Sequence, residues 1–559
     1  MFIDIYKNQL AIYDCYEQRE MLKTKYGASY DKTEKAWIVP VGMKIINELR
    51  DNYNLYVSAN VKKYIQEHSA MYSSINELKN KKDIELKYDF QPYIRNATLM
   101  RHQQVACNIA MTLFNNNHTG VMLDMEMGTG KTMTAMALVG SLKNTKKVLV
   151  ICPKISLGVW DREYKKFANY DHIICPLNGT AKKRLQLMQE LIDSEGNYEK
   201  SIVVINYEYV YAFEKILAKW KPDIIICDES HKIKSPTAQQ TKSILRLGNL
   251  AKYKVCLTGT PLTNNILDFF SQYKFLDSSV LGDSFTAYKN KYVITGMFNE
   301  YLRPNPMHFN ELKYRLGTIS YRVTKEECLD LPPFTDIYIP VEFSPQNYKL
   351  YKEFEREFVV WLNEHTKVTT ENALTQTLKL RQLTGGFCYD YDKDGNRTTV
   401  DFDDAKATAC AELIENIVEG GNKVIVFAEF QAEIEKIKSI CDKFKIKSVT
   451  YYGGTSESKK NDAYNEFVNG DAMVFIGQIE SAGISITLTN SKYTIFYSTG
   501  YKYGSYDQAR SRMHRKGQTQ NCTYYHLVIK NTIDDKINSS LDKKEKLAET
   551  IIDSYRKGD

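Results

Sequence analysis

The chain has 559 residues, too many for one hydrophobic core, so three or more domains are expected. Its 43% hydrophobic and 26% charged content is that of a globular protein, and no apolar run approaches a membrane span. The net charge of +7 permits an anionic partner without requiring one, and eleven scattered cysteines with no C-x-x-C pair argue against zinc and against a disulfide framework.

Residues 1–85 alternate short strand patterns (Phe2–Tyr6, Leu10–Tyr13, Ala36–Val39, Leu55–Val57) with helical ones (Glu17–Tyr26, Met43–Asn52). They read as a small α+β module, followed by a linker at the Lys79–Lys82 cluster. Residues 86–277 alternate six nearly continuous apolar strands with helices. The strands are Gly120–Leu123, Lys147–Cys152, His172–Cys175, Ser201–Ile205, Asp223–Cys227 and Lys254–Thr258. That pattern predicts a parallel sheet covered on both faces. Residues 278–400 read as a polar, mostly helical insert. Residues 401–530 alternate again, through Lys423–Phe427, Lys447–Tyr451, Ala472–Gly477, Tyr493–Tyr497 and Thr523–Val528, as a second α/β lobe. Residues 531–559 read as a long charged helix. The N-terminus has no charged-then-apolar export layout, which with the unpaired cysteines points to the cytoplasm.

The chemistry starts at Asp124-Met-Glu-Met-Gly-Thr-Gly-Lys-Thr132. Gly128, Thr129 and Gly130 let the backbone wrap a triphosphate after the apolar run Val121–Leu123. Backbone N–H groups and the following helix N-terminus favour its charge. Lys131 is placed to reach the β- and γ-phosphates and the Thr132 hydroxyl to hold Mg²⁺. Met125 stands where the full phosphate-loop pattern has its first glycine. About a hundred residues later, Asp228-Glu229-Ser-His231 follows the apolar strand Ile224–Cys227. There the first acid suits Mg²⁺ coordination and the second suits activation of water. Each stretch alone also reads blandly, as a glycine-rich turn and as a helix cap.

Taken with six further segments in order, the chain resembles superfamily 2 helicase/ATPases of the SWI/SNF type. The segments are Thr98–Gln103, Met125–Thr132, Cys152–Glu163, Asp228–Lys234, Leu257–Asn265 (LTGTPLTNN), Val424–Phe430, Glu480–Thr489 and Gln508–Gln518 (QARSRMHRKGQ). The resemblance implies two RecA-like parallel-sheet lobes of the P-loop NTPase class, an α/β fold. It also implies ATP and Mg²⁺ as cofactors and explains Met125, since the family's loop also lacks the first glycine. Gln103 would read the adenine edge, and Gln508 would join the nucleotide site. Arg512 and Arg515, three apart on one helix face, would approach the γ-phosphate from the second lobe. Arg322-x-Thr324-Lys325 followed by Leu331-Pro-Pro333 resembles the family's segment between the lobes.

The resemblance also implies a duplex held across both lobes through its phosphates. By motif position the candidates are Lys154, Ser156, Asn206, Tyr207, Thr260, Asn264, Gly453, Gly454 and Thr487. Lys182–Arg184 and Lys459-Lys460 could add contacts, although charge runs are usually solvated faces. Tyr501 and Lys460 depart from the family's Trp and Arg. Tyr30-Asp31, Lys35-Ala-Trp37 and Pro40 resemble the core of the HARP-like domain of annealing helicases. Tyr30 and Trp37 could stack on bases there, but packing of Trp37 in the module's own small core is the favoured reading. The chain therefore reads as a monomeric DNA-dependent ATPase moving on duplex or branched DNA, with no membrane partner and with accessory replication or repair proteins possible. Fork remodelling, annealing or branch migration is its expected output. The alternatives are a strand-separating DNA or RNA helicase, a remodeller displacing DNA-bound proteins, and a binding module with an inactive motor. The intact Lys131, Asp228, Glu229, Arg512 and Arg515 argue against the last.

Overall fold

The computed structural model describes residues 1–557 except 8, 82, 297–298, 365–369, 392–396 and 483–485. The last three fall inside the Glu480–Thr489 segment, so that part of the segment lies outside the described residues.

The apolar runs of residues 120–323 form a seven-stranded sheet. Its order is Ser320–Val323, Gly120–Met125, Tyr253–Thr258, Ile224–Asp228, Lys147–Cys152, Lys200–Asn206 and His172–Pro176. Every neighbouring pair is parallel. The central strands are buried along their whole length, because helices cover both faces. A second parallel sheet of six strands runs Phe334–Val341, Cys522–Ile529, Tyr493–Phe496, Val424–Ala428, Val474–Gln478 and Ser448–Tyr451. The two RecA-like lobes expected from the alternation are thus present, each around its own core.

The segment 278–400 is not a helical insert throughout. Ser320–Val323 pairs with Gly120–Met125 at the edge of the first sheet, and Phe334–Val341 pairs with Cys522–Ile529 at the edge of the second. Both strands were missed because Tyr321-Arg-Val and Thr335-Asp-Ile-Tyr carry polar residues within short runs, as edge strands do. The crossing from lobe to lobe is therefore only Thr324–Pro333 long.

The N-terminal module is a five-stranded sheet ordered Ser29–Asp31, Ala36–Pro40, Gln9–Tyr13, Phe2–Tyr6 and Tyr56–Val57. Its core joins Ile3, Leu10, Ile12 and Val39 to Leu22, Ile46 and Leu49 of two helices. Of the expected linker, Lys79 and Asn80 instead end a helix, Ala59–Asn80, capped by Ser58 accepting from Val61 N, and residue 82 lies outside the described residues. Val61 belongs to the module's core, whereas Met71, Ile75 and Leu78 belong to the first lobe's. Lys79 is half-buried with Nζ donating to Gly317 O at 2.7 Å, so it is no solvated linker residue. The last helix, Ile533–Lys557, packs Ile533, Ile537 and Leu541 into the second lobe's core and Leu547 against the first lobe's. No helix among the described residues is long and apolar enough to cross a membrane.

Candidate active site

In a parallel sheet all strands end on one edge, and loops leaving that edge converge. Gly120–Met125, Lys147–Cys152, Lys200–Asn206, Ile224–Asp228 and Tyr253–Thr258 deliver there the phosphate loop, Lys154–Ser156, Asn206, the Asp228-Glu229 pair and Thr260–Asn264.

Gly128 and Gly130 have φ of +91° and +87°, a conformation that a side chain disfavours. At Gly130 a Cβ would also collide with the Gln103 amide nitrogen, 2.0 Å away. Lys131 opens the helix Lys131–Ser141, and its ammonium folds over the loop to Met125 O at 3.1 Å and lies 3.8 Å from Glu229 Oε1. Asp228 is buried, and the Trp160 indole N–H donates to its Oδ2 at 3.0 Å. The Tyr207 hydroxyl donates to Asp228 O at 2.8 Å. Burial, then the neighbouring Glu229 carboxylate, raise the Asp228 carboxyl to about 6. Glu229 itself sits at φ +54°, a strained conformation for a residue with a side chain, and its Oε2 is buried without a hydrogen-bond partner among the described residues. That oxygen lies 3.4 Å from His231 Nδ1, whose pKa burial lowers to about 4, so the ring is neutral.

The second lobe closes over this loop. Arg512 Nη2 lies 3.0 Å from Met127 Sδ, and a Cβ at Gly128 would meet Arg515 Cβ at 3.5 Å. Arg512 is held by Gln508 O (3.1 Å) and Ile486 O (3.2 Å), and Arg515 by Thr487 Oγ1 (2.9 Å). Burial, then the adjacent Arg515, pull Arg512 down to about 9. Two guanidiniums and an ammonium thus share one cleft of about 890 Å³, lined also by Thr132, Asp228, Glu229 and Gln508. Among the described residues neither arginine has a carboxylate within ion-pair distance. The two arginines are held by neutral groups, which suits a polyanion.

The cleft therefore gathers Gly128, Gly130, Lys131, Thr132, Asp228, Glu229, Gln508, Arg512 and Arg515, as the motifs suggest. Gln103 and Thr129 are placed differently. Gln103 is buried behind the loop, its Oε1 accepting from Met100 N at 2.8 Å and its Nε2 donating to Thr129 O at 3.2 Å. Thr129 is buried with its hydroxyl on Glu126 O at 2.7 Å. Both brace the loop from within, and their polar atoms are not presented to a ligand.

Several phosphate candidates are corrected too. Thr487 faces the cleft as the partner of Arg515. Thr260 is buried beneath the second lobe, its hydroxyl 3.8 Å from where a Gly504 Cβ would stand, and Asn264 lines the cleft beside Lys234. Ser156 is buried at the cleft wall, Asn206 is buried with Nδ2 on Glu208 at 2.5 Å, and Tyr207 is buried beneath Asp228. Arg184 and Lys460 of the two basic runs are buried as well. Lys154, Gly453 and Gly454 are exposed at their strand ends. Sequence motifs follow chain order, and two ligand faces that share one sheet edge are not separated by it.

Trp160 lies within the Cys152–Glu163 segment and Arg322 and Lys325 within the segment between the lobes, and the sequence gives none of them a role. Arg322 Nη1 bonds Asp124 Oδ1 at 2.6 Å and its Nη2 bonds Glu126 Oε1 at 3.0 Å, pinning the start of the phosphate loop to the edge strand. An arginine set between Tyr321 and Val323 in a short strand was the available signal.

Two parallel-sheet lobes with a phosphate loop and acidic pair on one and paired arginines on the other define a P-loop NTPase of the two-lobed helicase class. Residues 102–386 match the SNF2-related domain and residues 405–517 the helicase conserved C-terminal domain. The chain belongs to the family that carries the SNF2-related domain. An uncharacterized ATP-dependent helicase of Mycoplasma genitalium is 28% identical over 464 residues, 81% of this chain and 42% of that protein. The SWI/SNF-related matrix-associated actin-dependent regulator of chromatin subfamily A member 1 of Mus musculus is 22% identical over 86% of this chain and 46% of its own length. The chain thus spans less than half of each of these relatives. A solved Sulfolobus solfataricus SWI2/SNF2 ATPase core in complex with dsDNA is 25% identical, covering 85% of this chain and 96% of that one, at a TM-score of 0.40.

Proposed function

We propose that this chain is a DNA-dependent ATPase that moves along double-stranded or branched DNA by opening and closing its two lobes. The observation that carries the reading is the pair Arg512 and Arg515, the first buried and the second half-buried over Met127 and Gly128, whose protein partners among the described residues are all neutral. Arginines on a separate lobe, poised over a phosphate loop, make hydrolysis depend on lobe position. Lys131 and the backbone of Gly128–Gly130 hold the triphosphate. The Thr132 hydroxyl and the Asp228 carboxylate are hard oxygen donors suited to Mg²⁺, and Trp160 fixes one oxygen of Asp228. Bound there, Mg²⁺ supplies charge neutralisation between phosphates. Glu229 orients and deprotonates the attacking water, and the two arginines stabilise charge on the transferring group.

DNA enters the reading through the family and through relatives described as ATP-dependent helicase and regulator of chromatin. Lys154, Gly453 and Gly454 remain as exposed phosphate contacts on the two lobes. Fork remodelling, annealing or branch migration is the favoured output, because the small N-terminal sheet joins the motor through one continuous helix that can position it at a junction. The Mycoplasma relatives and eleven free cysteines agree with a prokaryotic cytoplasm. The ATPase rate with single-stranded, duplex and forked DNA and with RNA decides the matter. Stimulation by duplex or forked DNA is expected, and stimulation by RNA alone overturns the reading.

A further inference from the structure

The short crossing between the lobes begins with a fixed turn. Thr324 caps the helix Lys325–Cys328, its N–H and hydroxyl both donating to Glu327 Oε2, at 2.8 and 3.0 Å. Glu126, inside the phosphate loop, grips this turn twice: Oε1 accepts from Arg322 and Oε2 accepts from Lys325 N at 2.9 Å. The turn is therefore part of the loop's own scaffold. From it the Lys325 side chain crosses into the other lobe, where Nζ donates to Ser511 Oγ at 2.8 Å, one residue before Arg512. The ammonium is buried, drawn by Asp507 and Glu126 and opposed by Arg512 and Arg515. The ammonium has a geometric reason to stay there, since Lys325 ties the turn held by Glu126 to Ser511 of the arginine segment.

We propose that Lys325 is a positioning residue that latches the phosphate-loop turn to Ser511, and so sets Arg512 over the loop when the lobes close. The inference rests on the ATPase reading for its catalytic consequence, but the latch itself is a statement about lobe contact. A change in the loop at Glu126 moves the Lys325 backbone, and a change in the lobe angle moves Ser511. Each displacement stretches the same 2.8 Å bond.

Lobe contact has a reporter that needs no catalysis. A Cβ at Gly504 of the second lobe would stand 3.7 Å from the Thr263 Cβ of the first, within the roughly 3.5–4.5 Å of a disulfide. The double variant Thr263→Cys/Gly504→Cys is expected to cross-link under mild oxidation, with each single variant as the control. Adding Lys325→Met should slow the cross-link by about fivefold or more, and adding Ser511→Ala by about twofold, since that change leaves Asp507 facing the ammonium. Cross-linking at the parent rate in both overturns the latch. Should Lys325→Met not fold by thermal unfolding, Ser511→Ala decides alone. In hydrolysis assays Lys325→Met should lower kcat about tenfold with KM for ATP little changed. It should cost nothing further in an Arg512→Ala background, whereas an additive loss would overturn the positioning role. A parent chain that hydrolyses no ATP with any nucleic acid sinks the functional reading and leaves the cross-link result standing.

Discussion

The two lobes share one architecture and divide the charges between them. On the first, the ends of the strands carry acids tied to fixed donors: Asp124 to Arg322, Glu126 to Arg322 and Lys325, Asp228 to Trp160. On the second, the functional groups are arginines that, among the described residues of their own lobe, bond carbonyls and a hydroxyl, from Gln508, Ile486 and Thr487. A lobe whose charges are internally balanced can hold its shape alone. A lobe with cations lacking counter-ions gains most from an anion presented by its neighbour. The difference gives the first lobe the grip and the second the dependence on closure.

The hardest way to break this division is to remove the grip. Lys131→Ala and Glu229→Gln are each expected to lower DNA-stimulated kcat by about a thousandfold or more, and full activity in either would sink the site assignment. Next comes the closing side. Arg512→Ala should lower kcat by about a hundredfold or more with a small change in KM, because its contact forms across the lobes. Arg515→Ala should cost less, since Arg515 is half-buried and its hydrogen bonds stay within its own lobe, to Ile486 and Thr487. An Arg512 variant that changed KM alone would place the arginine in ground-state binding instead.

The internal balance of the first lobe has its own signature. Arg322→Ala leaves Asp124, which is fully buried, without its ion partner, and should destabilise the chain by about 3–5 kcal/mol in denaturant unfolding. A loss below about 1 kcal/mol would mean that the pair is solvated in practice. Asp228 gives a pH signature with opposite signs in two assays. Its folded pKa is about 6 against 3.8 for the ordinary carboxyl. Its contribution to stability without Mg²⁺ is therefore fully present below 3.8 and lost as pH rises through 6. Mg²⁺ binding runs the other way, weakening as pH drops, because the proton and the cation compete for the same carboxylate. Asp228→Asn should flatten the stability slope in chelator-treated protein.

What the sequence revealed follows from what each kind of signal encodes. Val148–Cys152 or Val424–Ala428, buried on both faces, are apolar at nearly every position, so the interior strands of both lobes are legible. Ser320–Val323 and Phe334–Val341 lie on sheet edges, where Arg322, Thr335 and Asp336 interrupt the pattern, and they were lost in an apparent helical insert. The cleft was legible because glycine geometry, adjacent acids and paired arginines carry chemistry in their identity and spacing. The direction of a polar side chain was not. Gln103, Thr260 and Thr487 carry the same groups whether they face ligand, loop or the other lobe, and only packing decides.

The smallest effects belong to the N-terminal sheet, where the expectation for Trp37 can be divided from that for Tyr30. Trp37 is half-buried against the module's core and Lys23 lies over its ring, while Tyr30, its neighbour at 5.3 Å between ring centres, is 50% exposed. Loss of packed aromatic area should make Trp37→Ala lower stability by about 2–3 kcal/mol, whatever the module binds. Tyr30→Ala removes little packing and should stay within about 0.5 kcal/mol of the parent. If the exposed ring stacks on an unpaired base, Tyr30→Ala should weaken forked-DNA binding by about fivefold or more, the scale of one base–aromatic stack, while leaving duplex binding unchanged. Equal losses on forked and duplex DNA would assign Tyr30 to general phosphate-side contact, and no loss on either would leave the sheet a structural companion of the motor, with junction preference sought on the lobes themselves.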